Sequence, residues 1–180
     1  MYGASPDIVS EESPLDPKSF YGISKMRGEQ HMKRLLNKKF NTYIIRLGNV
    51  YGYNKSMRFD SVINSFTFSA NFQRKVSING NGKQHRSFIH IDKTSNILAQ
   101  LINLSIPSGI YNLAEDDLSI NFIADTLQEI YPDLEMIYIN QNMKLRELRM
   151  NPNPLIFGLT DLPVITLKDA LLTFKDKFTF

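Results

Sequence analysis

The chain has no cysteine among its 180 residues. That excludes a disulfide framework, a thiolate nucleophile and any cysteine-bound metal, and it fits a reducing cytoplasm. Histidine is scarce, with His31, His85 and His90 spaced unlike metal ligands, so no metal site is expected. Long hydrophobic runs are missing, and the first residues, with Asp7, Glu11 and Glu12, lack the basic and apolar regions of a signal peptide. No membrane role is therefore expected. Blocks of like charge are missing too: 21 lysines and arginines are interspersed with 18 acids for a net charge of +3, which argues against nucleic acid as a partner. No internal repeat or low-complexity segment interrupts the chain.

What is present is the composition of one soluble domain, 42% hydrophobic and 22% charged. Residues 1–18, with Pro6, Pro14 and Pro17, read as a loop that feeds a helix at about 20 to 37. Residues 42–47 form a short β-rich apolar run, the pattern of a strand buried on both faces of a parallel sheet. Further on, the spacing predicts a helix at about 58 to 72, one capped by Asp92 that ends before Pro107, one capped by Ser119, and a last one that begins with Thr166 and Asp169 as a capping box. Strands are predicted at 76–78, 88–91, 110–113 and 136–139. This alternation predicts an α/β fold.

The arrangement with most chemical content is Tyr21-Gly22-Ile23-Ser24-Lys25. At a spacing of four, both side chains share one helix face, where an ammonium can lower the pKa of a phenol and make it an acid/base. The spacing alone is a weak signal because it recurs at Tyr51/Lys55. There the intervening Gly52 and Asn54 predict a loop rather than a helix.

An ordered series of segments places the first pair in context. Tyr2-Gly3, Pro14, the Tyr21/Lys25 segment with Glu29, and Arg46-Leu47-Gly48-Asn49-Val50-Tyr51-Gly52 resemble the extended short-chain dehydrogenase/reductases. These are the NAD-dependent sugar-nucleotide epimerases and dehydratases. The resemblance continues through Gly80-Asn81-Gly82-Lys83-Gln84-His85-Arg86-Ser87-Phe88-Ile89-His90-Ile91-Asp92, then Ile110-Tyr111-Asn112-Leu113, and reaches Leu159, Pro163, Leu167 and Ala170. It implies the C-terminal part of a Rossmann-type parallel sheet plus a small α/β substrate-binding lobe. Residues 1–57 would be the remainder of the Rossmann domain and 58–180 mainly the lobe, with 88–114 returning to the sheet.

The same resemblance implies residue roles. Tyr21 would be the base on a sugar hydroxyl, and Lys25 would bind the ribose of NAD and stabilise the phenolate. Leu47 and Gly48 would also meet the cofactor. Asn49 would hydrogen-bond the nucleotide-sugar substrate, and Arg86 would clamp its diphosphate, since a guanidinium suits paired phosphate oxygens. Either Arg146 or Arg149 would add a second phosphate contact. His90 is expected to be a structural strand residue. A homodimer through the Tyr/Lys helix is the family's common assembly.

Departures from the family pattern carry expectations of their own. Ser87 and Lys93 stand where the family often has acidic or apolar residues. The glycine-rich turn that takes the cofactor pyrophosphate at a helix N-terminus is not in this sequence, nor is the catalytic serine or threonine that precedes the Tyr2-Gly3 segment. The chain thus resembles the C-terminal half of such an enzyme and is expected neither to bind NAD nor to turn over alone. The implied reaction is oxidation and re-reduction at C4 of a nucleotide sugar. A 4,6-dehydratase, or a remnant that only binds a nucleotide sugar, are the alternatives. The absence of cysteine argues against the fucose-synthase type of 3,5-epimerase. With its first strands missing, such a sheet would leave 42–47 with an open apolar edge.

Overall fold

A computed structural model describes residues 1–180 apart from 37, 39, 104, 105, 144, 146, 161, 179 and 180. Strands and helices alternate, and among the described residues every strand pair but one is parallel, so the class is α/β. The apolar run becomes β2 (Tyr43–Leu47), paired with β6 (Gly109–Leu113) in a register that sets Tyr43 opposite Gly109 and Leu47 opposite Leu113. Among the described residues β2 has this one partner, so its other edge is open.

After Gly48 the chain re-enters extended structure as β3 (Asn49–Tyr51). It pairs with β5 (His85–His90), whose other neighbour is the antiparallel β7 (Asp116–Ser119). The Asp116-Asp117-Leu118-Ser119 segment lacks strand composition, and its extension comes from pairing with β5. A further parallel pair joins β4 (Lys75–Asn79) to β8 (Glu135–Ile139). The N-terminal stretch is not all loop either. Ile8–Val9 forms a short β1 on β9 (Arg149–Met150), with Val9 and Met150 buried together.

The helices are α1 (Phe20–Lys33), α2 (Val62–Gln73), α3 (Ile91–Asn103), α4 (Ile120–Ile130), the short α5 (Pro154–Phe157) and α6 (Leu167–Asp176). Ser19, Ser119, Asn153 and Thr166 cap their helices by accepting backbone N–H groups. Asp92 was expected to cap α3, but the helix starts at Ile91, and His90 takes that role by accepting the Asp92 N–H on Nδ1 at 3.3 Å. Strand β5 forms the wall between the main hydrophobic clusters. Phe88 faces the cluster of α2, α4 and α6, with Ile63, Ile123, Leu127 and Leu171 fully buried, while Ile89 faces Ile97, Tyr111, Leu113 and Ile156.

The Asn79-Gly80-Asn81-Gly82 turn leads into β5 and depends on its last glycine. Gly82 has φ of 70°, and a Cβ there would lie 1.7 Å from Asn121 Oδ1. The Asn121 amide cannot easily swing away, because it donates to the Asn81 carbonyl at 3.2 Å and accepts from the Tyr138 hydroxyl at 3.2 Å. Gly82→Ala is expected to destabilise the chain by about 1–3 kcal/mol, measured as a lower urea midpoint at unchanged slope. An unchanged midpoint would show that the turn adapts.

Candidate active site

Helix α1 buries little apolar surface. Its buried residues are Gly22 and Glu29, while Tyr21 is 65% exposed and Lys25 is exposed. Gly22 lets the first turn sit on Pro17, whose Cβ would be 2.8 Å from any added Cβ. The Lys25 ammonium lies 5.4 Å from the centroid of the Tyr21 ring. Both residues line a cavity of about 300 Å³ whose wall also includes Tyr2, Arg46, Leu47 and Met150. The second Tyr/Lys spacing does not form such a pair, since Tyr51 is buried in β3 and Lys55 lies in a turn.

A buried charge network fastens α1 to the sheet. Arg46 on β2 donates to Glu29 through Nε at 2.9 Å and Nη2 at 2.6 Å, a bidentate pair with both side chains almost fully enclosed. Its Nη1 donates to the Tyr2 hydroxyl at 2.6 Å and to the Glu11 carbonyl at 2.9 Å. The Tyr2 hydroxyl in turn donates to Asn112 Oδ1 on β6 at 2.5 Å. Burial works against ionisation of Glu29, but hydrogen bonds from Arg46 and Lys33 outweigh it and hold the carboxyl below its usual range. Burial pushes the Tyr2 phenol up despite its Arg46 and Asn112 partners, so Tyr2 is a neutral link rather than a base.

The residues expected to hold substrate lie around β5. Asn49 is exposed at the start of β3, and its Nδ2 donates to the Ser87 carbonyl at 3.0 Å. Gly48 fits closely before it, with a Cβ position 3.0 Å from that same carbonyl oxygen. Arg86 is half-buried, and burial lowers the pKa of its guanidinium. No ion pair or side-chain hydrogen bond compensates Arg86 among the described residues. Arg149 donates through Nη2 to the Pro6 carbonyl at 2.8 Å, while its buried Nε has no partner among the described residues. Arg146, the other phosphate candidate, lies outside the described residues.

The structure therefore gathers Tyr21, Lys25 and Leu47 around one cavity, with Gly48 following Leu47 in the chain. Asn49, Arg86 and Arg149 are not in that lining; they are linked to it through Ser87, Leu148 and Met150. His90 is half-buried, its ring edge-on to Tyr51 at 5.2 Å, and burial lowers its pKa. Sequence reasoning missed Tyr2, Asn112 and Glu11 as members of the buried network. The one available signal was Glu29 with Arg46, an acid and a base within the resembling segments.

Comparison with known proteins shows the family of the chain. The sequence pattern of the NAD dependent epimerase/dehydratase family matches residues 1–114. The chain belongs to this family. Tyr21, Lys25, Leu47, Gly48, Asn49 and Arg86 all fall inside the matched part, whereas Arg149 falls beyond it. A putative UDP-glucose 4-epimerase of Methanocaldococcus jannaschii is 30% identical over 124 residues, 67% of this chain and 40% of that protein. The dTDP-D-glucose 4,6-dehydratase of Mus musculus is 29% identical over 133 residues, 72% of this chain and 37% of that protein. The chain thus spans about two fifths of the length of these curated relatives. Among solved structures, an NAD dependent NDP-hexosamine 5,6-dehydratase superposes with a TM-score of 0.84 at 24% identity, covering 97% of this chain and 59% of that one. The UDP-glucuronic acid 4-epimerase of Bacillus cereus, solved with UDP-glucuronic acid and NAD, superposes at 0.81 with 22% identity, covering 97% and 57%. At these identities the likeness is one of fold.

Whether the residues here fit NAD can be judged from the cavity. A volume of about 300 Å³ is at the low end of small-molecule pockets, roughly 300–1,000 Å³. That volume is of the order of a ribose with a nicotinamide ring and too small for a whole dinucleotide, and Tyr21 and Lys25 are part of its lining. No glycine-rich strand–turn–helix is found among the described residues to cradle the pyrophosphate.

Proposed function

We propose that this chain supplies the acid/base pair and the substrate lobe of an NAD-dependent enzyme that oxidises and re-reduces C4 of a nucleotide-linked sugar, giving epimerisation. The observation that carries the reading is the stacking of Tyr21 and Lys25 at a cavity walled by Leu47 and Met150. In the whole enzyme NAD would supply the hydride acceptor, with Tyr21 and Lys25 among the residues that would hold its ribose and nicotinamide. Tyr21 Oη takes the proton of the sugar hydroxyl, with the Lys25 ammonium 5.4 Å from its ring centroid. Asn49 orients the sugar, and Arg86, a guanidinium with no protein counter-charge among the described residues, takes the diphosphate. Both epimerases and 4,6-dehydratases are among the relatives, so product analysis decides between the two outcomes.

By itself the chain is proposed to bind a nucleotide sugar without turnover. Calorimetric titration with UDP-glucose is expected to show binding that Arg86→Ala weakens by about tenfold to a hundredfold, the value of a charge-assisted hydrogen bond. Titration with NAD alone is expected to show no saturable binding. Tight NAD binding would overturn the proposal that a further cofactor-binding half is required. A homodimer through α1 is the proposed assembly of the whole enzyme.

A further inference from the structure

Ser87 is 1% exposed and is hydrogen-bonded to three separate parts of the chain, at Asn49, Asp117 and segment 148–150. Its carbonyl accepts from Asn49 Nδ2 at 3.0 Å, and its N–H donates to the Leu148 carbonyl at 3.1 Å. Its hydroxyl accepts the Met150 N–H at 2.7 Å and donates its one proton to Asp117 Oδ1. A hydroxyl has one donor, so Asp117 decides which way it turns; with its O–H directed at the Asp117 carboxylate, a lone pair faces Met150. Asp117 is opposite Ser87 in the β5–β7 register, which makes the contact a direct cross-strand pair.

The result is a bridge between two halves of the site. On one side, donation to Ser87 uses the Asn49 amide nitrogen, which leaves the Asn49 oxygen to accept from a ligand hydroxyl. On the other, the hydroxyl pins the backbone after Arg149, beside the strand position where Arg86 meets Leu148. We propose that Ser87, held by Asp117, is the positioning residue that couples the sugar contact at Asn49 to the phosphate-side segment 148–150. This coupling rests on the nucleotide-sugar reading, whereas the hydrogen-bond relay beneath it does not. A carboxylate at position 87 could accept from Met150 directly; here that duty is divided between a buried hydroxyl and an exposed acid.

Two measurements on the full chain test the relay and the coupling separately. Amide hydrogen exchange followed by NMR is expected to show Met150 protected in the native chain and exchanging at least about tenfold faster in Ser87→Ala and in Asp117→Asn. The Leu113 amide serves as the control for global opening. The paired variant Ser87→Asp with Asp117→Ser restores one carboxylate and one hydroxyl in reversed order and is expected to recover protection. Ser87→Asp alone sets two carboxylates together and is not. UDP-glucose affinity, read by calorimetry, is expected to fall at least about threefold in Ser87→Ala and to return in the paired variant.

Unchanged Met150 exchange in both single variants would sink the relay and the proposal with it. Restored exchange without restored affinity would reject the coupling and leave a structural hydrogen bond. If the native chain binds no UDP-glucose, the proposed function fails and the coupling with it, while the exchange measurement still decides the relay.

Discussion

Glu29→Ala is expected to be the most damaging single change in this chain, at about 3–5 kcal/mol, because it leaves the Arg46 guanidinium enclosed without its counter-charge. Arg46→Ala should cost less, since Glu29 keeps Lys33 at 3.0 Å, and that lysine reaches solvent. Replacing both partners together, Glu29→Met with Arg46→Leu, is expected to recover most of the stability, as apolar pairs of similar volume usually do. Urea denaturation of the three variants reads the ordering directly. A loss under about 1 kcal/mol in Glu29→Ala would show that water or a neighbouring residue reaches the guanidinium.

The same pair sets an acid limit. Glu29 ionises in the folded chain below its ordinary value of 4.5, so its stabilising contribution is present above that value in full. It is lost as pH falls through the lowered folded value, because the unfolded state then binds the proton more readily. Glu29→Gln should therefore flatten the acid side of the stability profile while lowering the plateau at neutral pH.

Tyr21→Phe is expected to have the largest effect on chemistry. In an enzyme reconstituted with a cofactor-binding half, removing a positioned general base costs roughly 10²–10⁴ in kcat. Nucleotide-sugar affinity should stay within about threefold, since the hydroxyl is one contact among several. The ring is 65% exposed and carries no packing load, so the variant should fold as the native chain does. Lys25→Met is expected to lower kcat as well, because it removes the ammonium that lies 5.4 Å from the Tyr21 ring centroid. If Tyr21→Phe loses binding and stability together, the residue is structural.

Much of the fold was legible because its signals are local. The apolar run of β2, Ser119 capping α4, and Thr166 at α6 require only the neighbouring residues to act. The elements that escaped prediction are those whose shape comes from a distant partner. Strand β7 is two aspartates, a leucine and a serine held extended by β5, and β1 is two residues held by β9 from the far end of the chain. His90 displaced Asp92 as the cap of α3 because β5 runs straight into that helix, a junction no propensity marks.

The sequence by itself determined the α/β class, the helix that carries Tyr21 and Lys25, and the resemblance that assigns them a role, since order and spacing along a chain are properties of the chain. Only the tertiary structure decided that Glu29 and Arg46 fasten that helix, that Ser87 links Asn49 to the 148–150 segment while its hydroxyl donates to Asp117, and that Arg149 turns to the Pro6 carbonyl. The physical reason is the same in each case. A buried charge or hydroxyl must find a partner wherever the fold offers one, and those partners lie between 17 and 143 residues away in sequence.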